Sequence, residues 1–159
     1  SEYKHIGVIG TKSTIDSETY QKKIHDKKSG LLVSAMATPL FVPMIEEGFI
    51  FDDISNAIIR NYLSRYEIGN IEAIILGCTH YPIIKNQINK YYHFNVEVID
   101  SSKIVADYLR NLLEKKELLN TKGKGSKKFY VSDYTDYFKV ISKMFFEEEI
   151  ELQLHNLWD

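Results

Sequence analysis

The sequence predicts an α/β domain built on a parallel, doubly wound sheet. Three observations lead to this prediction. Short apolar runs alternate with helical patterns along most of the 159 residues, one central run lacks polar alternation, and two runs end at a glycine. Because 44% of the residues are hydrophobic, the chain can bury a packed core.

The first predicted elements are two strands that flank a polar helix. Residues 6–9 form an apolar run that ends at Gly10, residues 17–27 have a polar helical pattern, and residues 31–36 form the second apolar run.

The next predicted helix spans residues 51–66. Four apolar residues recur in it at four-residue steps, which places them on one face. They are Ile54, Ile58, Tyr62 and Tyr66. We expect both tyrosines to belong to the core.

The third strand, residues 71–76, has no polar alternation after Glu72, as in a strand covered by helices on both faces. A helix over residues 83–91 and a strand over residues 96–99 follow. An amphipathic helix then extends from Ser102 to about Leu118. Its apolar residues, spaced three and four apart, are Val105, Tyr108, Leu109, Leu112 and Leu113. A strand (129–132), a helix (134–146) and a further strand (150–154) complete the chain.

In parallel sheets, ligands bind beyond the carboxyl ends of the strands. Three segments follow strands in this sequence, namely Gly10–Thr14, Ala37–Glu46 and Gly77–Pro82. We expect these segments to meet on one rim of the sheet.

Composition excludes several classes of function. A formal charge of −2 gives no reason to expect a nucleic-acid partner, and the basic stretch Lys122–Lys128 is better explained as a solvated linker. No apolar run reaches the ~18 residues of a membrane span, and residues 1–5 do not resemble a signal peptide, so we expect a cytoplasmic protein. One cysteine excludes an intrachain disulfide, and the five histidines lack metal-ligand spacing.

Cys78 lies where an apolar strand gives way to a predicted helix. Unpaired N–H groups and the positive end of a helix dipole favour the thiolate form of a cysteine. His80, two residues later, can hold or transfer a proton near neutral pH. The alternative is that Cys78 is a small buried hydrophobic residue and His80 an ordinary surface residue.

Three segments resemble a known family, in its order and at about its spacing. Residues 76–82, Leu-Gly-Cys-Thr-His-Tyr-Pro, resemble the second-cysteine motif of the glutamate racemases, members of the cofactor-independent aspartate/glutamate racemase superfamily. Residues 7–11, followed by Thr14 and Ser17, are similar to the family's threonine-rich loop. Residues 39–48 are similar to its proline and glutamate loop. The similarity extends from about residue 5 to residue 100, and more weakly to residue 159.

The resemblance implies a doubly wound domain of the aspartate/glutamate racemase type and racemisation of glutamate by two thiols, without a cofactor. Cys78 matches the second catalytic cysteine, His80 the histidine that assists it, and Glu46 a nearby glutamate. The threonines that match substrate-binding residues are Thr11, Thr14 and Thr79. Taken alone, the threonines of the first loop can simply cap a helix, and Glu46 can be a solvated loop carboxylate.

The sequence departs from the family by lacking a second cysteine. We therefore expect residues 1–100 to form the family's second domain, with Cys78, and residues 101–159 to belong to a first domain whose other part is missing. The isolated chain is expected to be inactive as a racemase, since one base can exchange the α-proton on one face but cannot readily invert the α-carbon. The amphipathic helix should pack against another copy or leave an apolar surface exposed, and we expect a homodimer.

The leading functional hypothesis is therefore a glutamate racemase that supplies D-glutamate for peptidoglycan. Racemisation of aspartate is a near alternative. A non-catalytic binding domain of the same fold, favoured by the missing thiol, is an alternative of a different class. A hydrolase that uses Cys78 and His80 is weaker.

Overall fold

The computed structural model describes residues 3–65, 69–123, 125–133, 139–140, 142–143, 146 and 150–156. A four-stranded sheet with the order β2-β1-β3-β4 lies at its centre. The strands span His5–Gly10 (β1), Leu32–Ala37 (β2), Ala73–Gly77 (β3) and Glu97–Asp100 (β4). Every neighbouring pair is parallel, which confirms the predicted sheet.

The central strand β1 is buried on both faces. Val8 and Ile9 point to opposite sides of the sheet, and both are 0% exposed. In β3, Ile74 is buried to the same degree. Strands covered on both sides need apolar residues at successive positions, and this requirement explains the unbroken apolar runs in the sequence.

The helices of the described residues lie between and after the strands. They span Lys12–Asp16 (α1), Thr19–Lys27 (α2), Phe41–Glu46 (α3), Asp53–Leu63 (α4), Lys85–Tyr91 (α5) and Ser101–Lys115 (α6), with a 3-10 turn at Tyr81–Ile84. Among these residues, no helix is long and apolar enough to cross a membrane.

The polar helix predicted over residues 17–27 is present as α2, which begins two residues later, at Thr19. A short helix that was not predicted, α1, precedes it before a break, and Thr11 caps α1 through its side chain. The break falls at Glu18, whose φ of 54° is left-handed. There, the Ser17 hydroxyl donates to the carbonyl of Thr14 at 2.8 Å. Local side-chain hydrogen bonds of this kind compete with the helix and end it.

Helix α4 begins at a capping box. The Ser55 N–H donates to Asp52 Oδ1 at 2.7 Å, and the Asp52 N–H donates to Ser55 Oγ at 3.1 Å. Two N–H groups that have no partner within a helix are thereby satisfied, which is typically worth about 1 kcal/mol.

The predicted buried face of α4 is partly wrong. Tyr62 is buried as expected, but Ile54 is 54% exposed, and Tyr66 lies outside the described residues. The buried residues are Ser55, Ile59, Tyr62 and Leu63. In a helix of 3.6 residues per turn, residues four positions apart differ by about 40° in direction around the axis. Over three such steps the predicted residues therefore move away from the side that faces the core.

The C-terminal part contains a second, small parallel sheet. Phe129–Val131 (β5) pairs with Leu152–Leu154 (β6), and residues 139, 140, 142, 143 and 146 between them are helical. This order of strand, helix and strand confirms the prediction for the chain's end, where the described residues permit a comparison.

Helix α6 leaves an apolar face exposed, which is one of the two outcomes expected for it. Four neighbouring side chains on this face are each at least half exposed. They are Ile104, Val105, Tyr108 and Leu109. Within the described part of the chain, no element covers them.

Candidate active site

The ends of three strands are level at one edge of the sheet. Gly10 at the end of β1 is paired with Ala37 on one side and with Gly77 on the other. The Thr38 N–H donates to the Gly10 carbonyl at 2.9 Å, which continues the pairing one residue beyond β2. The three segments expected to meet on one rim therefore do so.

Gly77 is required by close packing at this rim. A Cβ at this position would lie 2.8 Å from the Ile9 carbonyl oxygen and 3.3 Å from a ring carbon of Tyr20. It would also lie 3.5 Å from the Thr14 methyl group. The absence of a side chain thus lets β3 deliver Cys78 close to the loop after β1.

Cys78 is a free, partly buried cysteine directly after β3. Its Sγ lies 3.8 Å from His80 Nδ1, within the range of a sulfur hydrogen bond. The two residues expected to act together are thus in contact. This contact argues against the alternative in which the cysteine is an isolated core residue.

His80 also contacts Glu46, the last residue of α3. The distance from His80 Nε2 to Glu46 Oε1 is 3.0 Å. The side chains are 35% and 57% exposed, so the pair itself adds little stability, because solvent screens such contacts. Glu46 is therefore both a solvated carboxylate, as the alternative held, and a partner of His80.

The three groups form a line from Cys78 through His80 to Glu46. When His80 Nε2–H donates to the Glu46 carboxylate, the lone pair of Nδ1 faces the Cys78 thiol. That tautomer, assigned from the partners, lets the imidazole accept the thiol proton while the carboxylate stabilises the resulting cation. The arrangement can therefore generate a thiolate and later return its proton.

The helix dipole expected next to Cys78 is smaller than the sequence suggested. The element after the motif is the four-residue 3-10 turn, with Pro82 in its first turn as predicted. The α-helix itself, α5, begins only at Lys85. Because a helix dipole grows with the number of aligned peptide units, this short turn presents a smaller dipole to the segment of Cys78 than a full helix would.

The threonines of the first loop form a small cluster of hydroxyl groups. Thr11 Oγ1 lies 2.9 Å from Thr14 Oγ1, and it accepts from the Thr14 N–H at 3.4 Å. Thr11 is thus the N-cap of α1, as its alternative interpretation predicted. Thr79, between Cys78 and His80, is exposed. Whether these residues hold a substrate stays a prediction.

Two buried hydroxyl groups beneath the rim were not singled out from the sequence. Thr38 and Tyr81 are both 0% exposed, and Thr38 Oγ1 lies 2.6 Å from Tyr81 Oη. Burial raises the pKa of the Tyr81 hydroxyl above its ordinary value, so it is a neutral donor in the physiological range. The only sequence feature that points to this pair is the polar Thr38, directly after the apolar strand β2.

A cavity of about 470 Å³ borders the site on the side of the small sheet. Glu46, Thr79 and His80 line one wall, and Lys128 adds a cation. The remaining wall is mainly apolar and includes Phe129, Val131, Phe146, Ile150 and Leu152. Cys78 is not among the residues that line this cavity, although its neighbour Thr79 and its partner His80 are.

No group of acidic, histidine or cysteine side chains within the described ranges is arranged to hold a metal ion. The chemistry that these residues offer is proton transfer between a thiol, an imidazole and a carboxylate.

By fold and site, the chain is a parallel α/β domain with a thiol, an imidazole and a carboxylate aligned at its carboxyl rim. Comparison with known proteins gives the family. The Asp/Glu/Hydantoin racemase family matches residues 1–109, and the chain belongs to it.

Relatives and solved structures agree with this assignment. Glutamate racemase of Aquifex aeolicus (strain VF5) is 38% identical over 95% of this chain and 56% of its own length. The enzyme of Persephonella marina is 40% identical over 93% of the chain and 54% of its own. The structure of glutamate racemase from Francisella tularensis in complex with D-glutamate superposes with a TM-score of 0.88, at 40% identity, over 98% of this chain and 59% of that one. The chain thus spans little more than half the length of these relatives.

Proposed function

We propose that this chain supplies one half of the active site of a glutamate racemase, an isomerase that interconverts L- and D-glutamate without a cofactor. The line of Cys78, His80 and Glu46 at the strand-end rim is the observation that carries the proposal. The family assignment and the D-glutamate bound to the Francisella tularensis relative support glutamate as the substrate class.

In the proposed reaction, the Cys78 thiolate removes the α-proton of L-glutamate and becomes a thiol. The electron pair of the broken C–H bond stays on the α-carbon. A second thiol, on the opposite face, donates its proton to that carbon and becomes a thiolate, which completes the inversion. In the reverse direction, Cys78 is the acid. His80, oriented by Glu46, holds the proton that the Cys78 thiol releases when the thiolate is regenerated.

Binding of the substrate is assigned to the threonines of the rim. The hydroxyl groups of Thr11 and Thr14 lie 2.9 Å apart beside the segment that carries Cys78. Together with Thr79, they offer donors to the carboxylate and acceptors to the amine of an amino acid. Donors on the carboxylate stabilise the negative charge that spreads from the α-carbon in the transition state.

The second thiol must come from outside these 159 residues, because Cys78 is their only cysteine. The alignments cover only 56% and 54% of the two matched relatives' own lengths. We propose that residues 1–100 are one domain and that residues 101–159 complete another, whose remaining part covers the exposed face of α6. The whole protein would then supply D-glutamate for peptidoglycan and, by our expectation, act as a homodimer.

Two assays test the proposal, one on this chain and one on a protein extended to the length of its relatives. Exchange of the glutamate α-proton with deuterated water, followed by NMR, reports a single base. Inversion, followed by the optical activity of L-glutamate, needs both bases. We expect exchange but no inversion from this chain, and both reactions from the longer protein.

Matched variants show whether the proposed residues act in the reaction. Cys78→Ala should lower the exchange rate by about 100-fold or more, as expected for loss of an acid–base group. His80→Asn and Glu46→Gln should lower it by smaller factors. Their controls are His93→Asn, an exposed histidine at a positive φ that asparagine tolerates, and Glu47→Gln, the neighbouring exposed glutamate.

The same assays separate the alternatives. L-Aspartate, run in parallel, reveals whether the substrate is the shorter amino acid. Binding of glutamate without exchange or inversion, even by the longer protein, would support a non-catalytic binding domain and end the racemase proposal.

A further inference from the structure

A pair of buried hydroxyl groups lies directly beneath the candidate site. The hydroxyl oxygens of Thr38 and Tyr81 lie 2.6 Å apart, and one of them donates to the other. Thr38 Oγ1 also lies 3.3 Å from the Gly10 carbonyl. The Tyr81 hydroxyl lies 3.3 Å from the Thr38 carbonyl. Every hydroxyl proton of the pair therefore has an acceptor in the interior.

This pair joins the ends of three strands. Gly10 ends β1, Thr38 directly follows β2, and Tyr81 belongs to the segment after β3. Thr38 also anchors α3, because its carbonyl accepts from the Phe41 N–H at 3.1 Å. The Phe41 ring packs edge-on against Tyr81, with a centroid distance of 5.4 Å. Helix α3 and the catalytic motif are thus fixed to each other in the interior.

The same two segments carry the exposed pair above. Glu46 is the last residue of α3, and His80 directly precedes Tyr81. An exposed imidazole–carboxylate contact is too weak to hold two segments in register. Buried hydrogen bonds with every partner satisfied are stronger and more rigid. The interior pair therefore lies where it can influence the distance between His80 and Glu46.

We propose that Thr38 and Tyr81 are positioning residues, whose buried hydrogen bond holds the His80–Glu46 pair in line with Cys78. The inference rests on the proposed acid–base role of Cys78 and His80. Packing alone does not require the hydroxyl groups, since valine and phenylalanine would fill nearly the same space and removing both partners together leaves no unpaired polar group.

The test uses reactivity of the Cys78 thiol, which does not require turnover. Alkylation by iodoacetamide is measured against pH for the full chain and for Thr38→Val/Tyr81→Phe, with thermal unfolding as the check of folding. We expect the double variant to fold, with alkylation at neutral pH changed by about fivefold, the factor that corresponds to one net hydrogen bond. The pH profile should change in the same direction as that of His80→Asn.

Two further variants complete the design. Thr38→Ser retains the hydroxyl and should restore the wild-type profile, although it removes a methyl group. If the double variant does not fold, the alkylation rate and pH profile of Tyr81→Phe alone provide the test. A folded variant without the hydroxyl pair, but with the wild-type rate and pH profile, would refute the positioning role and leave a purely structural hydrogen bond.

The outcome is independent of the racemase proposal. If alkylation depends on both His80 and the hydroxyl pair while the longer protein inverts no amino acid, the positioning role stands and the racemase proposal fails. If inversion occurs but the alkylation rate does not depend on the hydroxyl pair, the racemase proposal stands and the positioning role fails.

Discussion

Replacement of Gly77 by alanine tests how tightly β1 and β3 pack beneath the site. The new Cβ would lie 2.8 Å from the Ile9 carbonyl oxygen, a backbone atom that cannot rotate away. An ordinary contact begins at 3.4 Å, so the two strands must separate locally by about 0.6 Å. Overpacking of this kind typically costs about 1–3 kcal/mol. For a chain of this size, about 2 kcal/mol lowers the melting temperature by roughly 4–8 °C.

Two other glycines provide graded controls for this experiment. At Gly30, an added Cβ would meet nothing within 4 Å, so Gly30→Ala should leave the melting temperature nearly unchanged. At Gly7, the closest atom, at 2.9 Å, is the terminal carbon of the Ile71 side chain, which can move. Gly7→Ala should therefore be intermediate. Thermal unfolding by circular dichroism measures all three variants.

The order of the three variants decides whether the argument is correct. If Gly77→Ala is as stable as Gly30→Ala, the strands do not approach as closely as the distances indicate. The consequence for the site is measured separately. Because Cys78 follows Gly77 directly, Gly77→Ala should also change the alkylation rate of the thiol, whereas Gly30→Ala should not.

Three further predictions concern other parts of the fold. Asp52→Ala should destabilise the chain by about 1 kcal/mol in urea, since it removes the cap of α4; an unchanged midpoint would exclude the cap as a stabilising feature. The N–H groups of Lys4 and His5 lower the pKa of the Glu72 carboxyl below its ordinary value of 4.5. The stability that Glu72 contributes is therefore fully present above pH 4.5 and lost as the pH falls through the lowered pKa. The free energies of unfolding of wild type and Glu72→Gln should therefore converge in acid. A difference between them that does not depend on pH would contradict this. Leu109→Lys on the exposed face of α6 should leave this chain's stability unchanged but destabilise the longer protein. Its control, Asp107→Lys on the opposite face, should affect neither protein. If Leu109→Lys instead reduces self-association of this chain, the exposed face is covered by a second copy.

The sequence alone was sufficient to predict the sheet and the composition of the rim. The apolar run without alternation identified β3 as a strand covered on both faces, because only such a strand places apolar residues on both of them. Since the strands are parallel, the residues after them had to reach the same edge. The proximity of Cys78, His80 and Glu46 was therefore predictable in outline, although Glu46 lies 34 positions before His80.

Local competition between hydrogen bonds was not predictable in the same way. The break between α1 and α2 depends on side-chain contacts of Ser17 that compete with the helix ladder. The turn after Cys78 is a 3-10 turn rather than a helix, and periodicity does not distinguish the two over four residues. The buried face of α4 follows from the direction in which the core lies, which the spacing of apolar residues only approximates.

The tertiary structure by itself decided how the site is held. Thr38 and Tyr81 are 43 positions apart, and nothing in the local sequence of either shows that their hydroxyl groups meet in the interior. Their contact exists because β1, β2 and β3 end at the same level, which is a property of strand register. The amino-acid sequence thus determined which chemical groups reach the rim, whereas the register and packing of the sheet decided which of them touch.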